Sequence, residues 1–243
     1  MTVARLRVLI PVAVGLIAAA ALALTLHQRL IDRTGSRPPA QRPVLLLLTS
    51  LPLVFNEQFS LEGGGSPALT ALQTHYRVAP ISVTSKNELA KGRLLLVAQP
   101  FAQPAEDLVA LDEWVRRGGR VLLLADPMLE WPSSRPLGDR LRPPAMFMDT
   151  GLLAHWGLRL DAPEKRGPAT RKLGDQEVLT VSPGSLSGRC EISADRLVAH
   201  CHIGKGRATV LADADLLDVD RLDSRGSHNL DGLISELASL QAK

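Results

Sequence analysis

Residues 93–127, RLLLVAQPFAQPAEDLVALDEWVRRGGRVLLLADP, contain the pattern of a complete β-α-β unit. The uninterrupted apolar runs Leu94–Ala98 and Val121–Ala125 are typical of strands that are buried on both faces of a sheet. A crossover of this length makes the two strands parallel neighbours. The stretch therefore predicts an α/β domain with a mostly parallel sheet.

The segment between the two strands has the signals of an amphipathic helix. Pro104 suits its first turn, and Glu106 and Asp107 complement the positive end of the helix dipole. Gly118-Gly119 ends it with residues that tolerate a left-handed backbone. Three apolar side chains repeat at helical spacing on the inner face: Leu108, Leu111 and Val115.

Similar patterns predict the other elements of an α/β domain over residues 44–243. A small β-rich insertion over 158–203 and a proline-rich loop over 128–146 interrupt the regular alternation. This order predicts a flavodoxin-like three-layer sandwich. The other predicted elements are strands at 44–50, 77–83 and 208–213, and helices at 66–75 (Ser66 as N-cap, Pro67 at N1), 147–156 and 229–240.

Charge is distributed unevenly along the 243 residues. The net charge is +3, but residues 1–43 carry +5 and the remainder carries −2. A nucleic-acid groove needs a basic patch on the folded domain, so nucleic acid is excluded as a partner. With 45% apolar residues, the chain can bury a sizeable core.

Residues 1–30 are predicted to be an N-terminal membrane anchor, followed by a Pro/Arg-rich tether at 31–43. The 19 residues Val8–Leu26 carry no charge and would span about 28 Å as a helix, enough to cross a bilayer. A cleaved signal peptide is the alternative, with Ala21-Leu22-Ala23 as a passable cleavage site. The apolar run continues past that site to Leu26, which favours an uncleaved anchor.

Cys190 and Cys201 are the only cysteines. They flank a predicted hairpin whose turn lies near Asp195-Arg196, and counting outward from that turn places them opposite each other. Facing cysteines can form a disulfide, which would place the domain in an oxidising compartment. The alternative is two unrelated thiols in a reducing cytoplasm.

Common enzyme signatures are missing from the sequence. It contains no phosphate-binding G-x-x-x-x-G-K-[ST], no G-x-G-x-x-G after a strand and no H-E-x-x-H. In Gly184–Gly188 the central residue of a would-be nucleophile elbow is leucine. We therefore expect no catalytic residues and no cofactor.

Polar residues gather where the predicted parallel strands end, on the sheet edge where open α/β folds bind ligands. One interpretation is a cleft for a ligand or partner. The other is that aspartates hold loop backbone amides, as they often do at strand ends. Asn229 is either the N-cap of the last helix or a further ligand residue. The candidates are Ser50, Gln99, Asp126, Asp213, Asp215 and Asn229.

A zinc site at the cysteine hairpin is not expected. His200 and His202 share one face of a strand and Cys201 points to the other, so these residues with Cys190 need a further ligand from elsewhere. The disulfide also competes for the same sulfur atoms.

Three segments carry a family resemblance: LLLVAQP, LDEWVRRGGRVLLLADP and IGKGRATVLADADLL followed by HNLDGLISEL. They resemble the auxiliary component of ABC-type transport systems, of the gliding-motility-associated type. The resemblance covers roughly residues 44–126 and 203–240. It implies an extracytoplasmic domain similar to class I glutamine amidotransferases, without their catalytic cysteine.

The resemblance implies a single-pass protein of the inner membrane that works beside a permease and an ATPase. We expect a non-enzymatic binding or scaffolding subunit whose domain faces the periplasm. The alternatives are an amidotransferase-like hydrolase with an unrecognised site and an envelope scaffold that works without a transporter.

Overall fold

The computed structural model describes residues 38–55, 65–222 and 226–242. The chain consists of two compact units, Met1–Gln41 and Arg42–Lys243. Of the first unit, the structure describes a short 3-10 turn, Pro39–Gln41. The predicted anchor (1–30) and most of the tether lie outside the described residues. Within the described ranges, every helix is too short or too polar to span a bilayer.

Eleven strands and five helices make up the described part of the second unit. The strands are β1 (Val44–Thr49), β2 (Arg77–Pro80), β3 (Leu94–Ala98), β4 (Arg120–Leu124), β5 (Leu158–Asp161), β6 (Pro168–Leu173), β7 (Gln176–Val181), β8 (Ser185–Gly188), β9 (Glu191–Ile192), β10 (Val198–Ile203) and β11 (Gly206–Leu211). The helices are α1 (Pro67–His75), α2 (Lys86–Leu89), α3 (Ala105–Arg116), α4 (Leu152–His155) and α5 (Gly226–Ala242).

Seven strands form the main sheet in the order β2-β1-β3-β4-β11-β10-β9. The first five are mutually parallel, and β10 and β9 continue the sheet as antiparallel strands. Two small antiparallel sheets of two strands each, β5-β8 and the β6-β7 hairpin, lie outside it. The predicted mixed α/β class with a mostly parallel sheet is confirmed.

The sheet buries aliphatic side chains on both faces because its parallel strands lie between two helical layers. Leu45 and Leu47 of β1 pack on the face of α1 and α5, whereas Leu46 and Leu48 pack on the face of α3 and α4. Side chains alternate along a strand, so a fully apolar run supplies both cores.

The predicted β-α-β unit matches the structure closely. β3 has the predicted bounds, and β4 begins one residue earlier than expected. Helix α1 also has its predicted bounds, and the Ser66 hydroxyl accepts a hydrogen bond from the Leu69 N–H at 3.2 Å. These elements carry strong local signals.

Three predicted boundaries were wrong. The strand expected at 77–83 ends at Pro80, and the helix expected at 147–156 begins only at Leu152, after Gly151 with a φ of 102°. The predicted insertion at 158–203 contains the pairs β5-β8 and β6-β7, but its last strands, β9 and β10, belong to the main sheet because they pair onward from β11.

Candidate functional site

The carboxyl edge of the main sheet brings together the candidate residues that follow β1, β3, β4 and β11. Gln99, Asp126 and Asp213 are completely buried, and Asp215 is 1% exposed. Ser50 is half-buried, and its hydroxyl donates to the Gln99 carbonyl oxygen. These side chains therefore lie beneath the edge rather than on its surface.

Gln99 joins the end of β3 to the loop that follows β4. Its amide Nε2 donates to the carbonyl oxygens of Asp126 at 3.2 Å and Pro144 at 3.0 Å. Its Oε1 accepts from the Asp126 N–H at 3.0 Å. The backbone of Gln99 has a φ of 42°, which costs on the order of 1 kcal/mol for a residue with a side chain. The three hydrogen bonds hold it there.

Asp126 uses both carboxylate oxygens on backbone amides. Oδ1 accepts from the Met128 N–H at 2.8 Å, and Oδ2 accepts from the N–H groups of Ala214 at 2.9 Å and Asp215 at 3.4 Å. Burial raises the pKa of Asp126 to about 6, although these amides favour the charged form. Asp126 thus ties the loop after β4 to the segment after β11.

Asp213 and Asn229 hold the β6-β7 hairpin. Asp213 accepts from the N–H groups of Val181 at 3.0 Å and Leu216 at 2.8 Å. Asn229 both accepts from and donates to the Leu179 backbone at 2.8 Å, and its amide also donates to the Leu216 carbonyl at 3.0 Å. Asp213 and Asn229 therefore make the hydrogen bonds to the backbone of β7 that a neighbouring strand would otherwise make.

The predicted N-cap role of Asn229 was wrong. It is not the N-cap, because α5 begins at Gly226 and includes it. Its role as a ligand residue stays a prediction; in the structure the side chain is completely buried, and its amide nitrogen and oxygen bond to the backbone of β7 and of the 3-10 turn Asp215–Leu217.

Asp215 connects the same 3-10 turn to the proline-rich loop. Its Oδ2 accepts from the Glu130 N–H at 2.7 Å, whereas its buried Oδ1 has no hydrogen-bond partner among the described residues. Burial raises the pKa of Asp215 to about 7, and the negative charge of Asp126 adds to the effect. Burial likewise raises the pKa of Asp213 well above its usual range, with the charges of Asp126 and Asp215 contributing.

Bracing of loops is therefore the role that the geometry gives to these carboxylates. Each one accepts backbone N–H groups, which is the second interpretation of the sequence pattern. In the described residues, the hydrogen-bond partners of these three carboxylates are backbone N–H groups and include no nucleophilic side chain.

Several exposed side chains of the carboxyl edge are apolar. Leu137 and Leu141 of the proline-rich loop are 88% and 62% exposed, and Phe55 after β1 is 82% exposed. Phe101 and Met148 line a small apolar cavity of about 30 Å³ beside β3. Exposed apolar side chains grouped on one edge are typical of a surface that contacts another protein. We call this set the apolar rim: Phe55, Phe101, Leu137, Leu141, Met146 and Met148.

The opposite side of the sheet contains the cysteines and a second polar group. Cys190 and Cys201 are joined as a disulfide, with their Cα atoms 4.8 Å apart. On the other face of β10, the His200 Nε2 lies 2.9 Å from the Glu236 Oε1, which also accepts from the Thr209 hydroxyl at 3.1 Å. These residues line a cavity of about 160 Å³. Within the described ranges, no group of three potential ligands could hold a metal ion.

Glu130, Ser182 and Glu236 were missed at the sequence level. The Ser182 hydroxyl donates to Glu130 at 2.6 Å, which lowers the pKa of that carboxyl with help from Arg166. No local pattern predicts this contact across 52 residues. Glu236 carried a signal, because it interrupts the apolar face of α5 next to Leu237.

Solved structures share the fold of this chain at low identity. The mmIFT52 N-terminal domain matches with a TM-score of 0.52 and 14% identity, over 80% of this chain and 97% of that domain. Cytoplasmic protein STM3548 from Salmonella typhimurium matches with a TM-score of 0.51 and 10% identity, over 82% of this chain and 98% of its own. At these identities the likeness shows the fold alone.

A glycosidase also aligns with the chain, but only in part. The exo-β-1,4-mannosidase Op5Man5 from Opitutaceae bacterium strain TAV5 gives a TM-score of 0.48 and 14% identity over 78% of this chain. The chain spans only 35% of that enzyme, and the match carries no argument about activity. No curated protein matches the sequence.

The family comparison is more informative than these structural matches. The matched segment, residues 42–164, is about half of the chain and runs from β1 through β5. It includes the β-α-β unit and the proline-rich loop. The finer likeness to class I glutamine amidotransferases is not confirmed and stays a prediction. The chain belongs to the family described as ABC-type uncharacterized transport system.

Proposed function

We propose that this protein is a membrane-anchored, non-enzymatic auxiliary subunit of an ABC-type transport system, which works beside the permease and ATPase. One observation carries the proposal beyond the family. The buried polar groups of the carboxyl edge bind the chain's own backbone, while the outward side chains of the same loops form the apolar rim. Such an edge suits protein binding better than chemistry.

A non-enzymatic role is supported by the arrangement of the carboxylates. An acid or base in catalysis needs a free atom within reach of the substrate. At the carboxyl edge, Asp126 and Asp213 accept two or more backbone N–H groups each and have no exposed surface. Braces of this kind would fix the loops that carry the apolar rim.

An extracytoplasmic location is supported by two features. Disulfides persist in oxidising compartments, and Cys190, just before β9, is bonded to Cys201 of β10. The uncharged stretch Val8–Leu26 is long enough to hold the domain at the membrane. We propose the periplasmic face of the inner membrane as the location.

The test is co-purification of the full chain from detergent-solubilised membranes, with mass spectrometry of the recovered partners. We expect a permease and an ATPase with the parent chain, and loss of both with Leu137→Asp/Leu141→Asp. Val109→Asp is the matched control, because Val109 is 57% exposed on α3 and does not belong to the apolar rim.

Each outcome of this test decides between specific readings. Recovery of the transporter with the control but not with the double variant supports the proposed surface. Recovery with both variants means that the partners bind elsewhere. Recovery of other envelope proteins without a permease or ATPase supports the scaffold alternative.

A further inference from the structure

A cleft of about 520 Å³ lies between the β6-β7 hairpin and the outer strand of the main sheet. Thr170, Arg171 and Lys172 of β6 form one wall. Glu191 and Ile192 of β9, with Ser193, form the other. Both strands have a single paired neighbour, β7 for β6 and β10 for β9. Two open strand edges therefore border the cleft.

The register shows which backbone groups of β6 point toward the cleft. The Ser182 N–H donates to the Gly167 carbonyl, so in this antiparallel pair the odd residues of β6 bond to β7. The even residues point away from β7. The Lys172 N–H follows this rule and donates to the Asp195 carboxylate at 2.9 Å. The Thr170 N–H also points outward and has no partner in the described chain.

The same reasoning applies to β9. The Ser193 N–H donates to the Val198 carbonyl, and Glu191 pairs with His200, so Ser193 and Glu191 bond to β10. Ile192 lies between them, and its N–H and C=O point away from β10. Val198 lies at the base of the cleft, whereas the Ile192 side chain packs on the other face of the sheet. On the β6 wall, the Thr170 carbonyl oxygen accepts a hydrogen bond from the neighbouring Arg171 guanidinium at 3.3 Å and from no other described group.

We propose that this cleft binds an extended peptide segment of another polypeptide, which inserts as a strand between β6 and β9. Unpaired backbone donors and acceptors on both walls match the two edges of one strand, which is the chemistry of strand addition. Alternate side chains of the segment would point to the base of the cleft near Val198, so we expect an alternation of apolar and polar residues. The basic wall, Arg171 and Lys172, and the acidic wall, Glu191 and Asp195, favour a segment with charges of both signs at its ends.

The test uses the full chain and a blocked heptapeptide of alternating valine and threonine with a lysine and a glutamate at its ends. We expect the peptide to slow amide hydrogen exchange at Thr170 and Ile192 several-fold. Thr170→Pro removes only the outward N–H and should weaken binding about fivefold to tenfold, which is the loss of one hydrogen bond. Thr170→Ala is the matched control and should keep the affinity within about twofold.

The variant is designed to fold, because β6 already has a proline at the outward position Pro168. Equal binding by the proline and alanine variants would overturn the proposal, and so would a lack of protection at saturating peptide. Protection that rises with protein concentration in the absence of peptide would overturn it as well, since the occupant is then a second copy of the chain.

Discussion

The carboxyl edge and the outer strands of the main sheet differ in how their polar groups are used. At the carboxyl edge, Gln99, Asp126 and Asp213 are completely buried and bind backbone N–H groups of three separate segments. At the outer strands β10 and β9, His200 has 45% of its side chain exposed beside Glu236, and the outer edge of β9 has no neighbouring strand, like that of β6 in the separate β6-β7 sheet.

The difference separates bracing from binding capacity. The carboxyl edge is the usual ligand site of an open α/β sheet, but here its polar groups fix loops and leave apolar side chains outside. The outer strands are also braced by side chains, since Asp195 accepts from the Lys172 N–H, but Thr170 and Ile192 keep open backbone hydrogen-bonding groups. The position of a residue in the fold therefore did not determine its role. The hydrogen-bond partners of its polar atoms determined it.

The largest expected effect tests the bracing role of Asn229. Asn229→Ala leaves the N–H and C=O of Leu179 and the carbonyl of Leu216 buried without partners. At about 1 kcal/mol for each lost hydrogen bond, the free energy of unfolding should fall by about 3 kcal/mol. Urea unfolding measures the loss. Asp231→Ala, at an exposed position of the same helix, should change it by less than about 0.5 kcal/mol. Equal effects of the two variants would contradict the brace.

The disulfide gives the outer strands a different kind of support. Its cysteines are 11 residues apart, so removing the link should cost about 2–3 kcal/mol through the freedom gained by the unfolded chain. Cys190→Ala/Cys201→Ala should unfold at lower urea than the oxidised parent and should not respond to reductant. Thiol labelling of the denatured, unreduced parent should be negligible; stoichiometric labelling would show that the bond is absent.

The buried aspartates should make stability depend on pH. Asp215 has a pKa of about 7 in the folded chain and an ordinary value of 3.8. Between these values the folded chain holds a proton that the unfolded chain releases. This stabilisation is complete below about pH 4 and is lost as the pH rises through about 7. Asp126, with a pKa of about 6, acts in the same direction.

We expect the free energy of unfolding to fall by on the order of 2 kcal/mol between about pH 5 and pH 8. Asp215→Asn should reduce this slope and be more stable than the parent at about pH 8, because the amide cannot ionise. Asp220→Asn, at an exposed position, is the control and should keep the parent slope. If the free energy of unfolding of the parent rises with pH over this range, burial does not disfavour the charged form of Asp215 in the folded chain.

The smallest effect is expected at the His200–Glu236 pair. His200 is partly exposed, so solvent screens its charge, and His200→Gln should lower the free energy of unfolding by less than about 1 kcal/mol. Urea unfolding of His200→Gln and of Asn229→Ala under the same conditions compares the outer strands with the braced hairpin directly. A loss as large as that of Asn229→Ala would remove the distinction between them.

The sequence predicted elements whose signals are local. The apolar runs of β3 and β4, the Ser66 cap and the Gly118-Gly119 stop each act over a few residues, and their positions are correct within about one residue. Helix α2 was missed because a single turn has no hydrophobic periodicity. The membership of β9 and β10 in the main sheet was missed because strand pairing depends on partners that a local pattern does not identify.

The candidate site was predicted in position but not in role. Parallel strands gather their polar ends at one edge, so Gln99, Asp126 and Asp213 were expected together and do lie near one another. Their roles depend on contacts over long separations, such as the 88 residues between Asp126 and Ala214. No spacing rule encodes such contacts, and the sequence alone therefore left both interpretations open.

The backbone of β7 is bonded by side chains that are synthesised later than the hairpin. The hairpin is therefore made before the groups that complete its hydrogen bonds. Asn229 follows Leu179 by 50 residues, so the outer edge of β7 is unoccupied from the time the hairpin emerges until α5 has been made. Chains grow at roughly 5–20 residues per second, which leaves that edge open for several seconds. An open edge can recruit other strands, and nascent chains interrupted before Asn229 should therefore aggregate through β7.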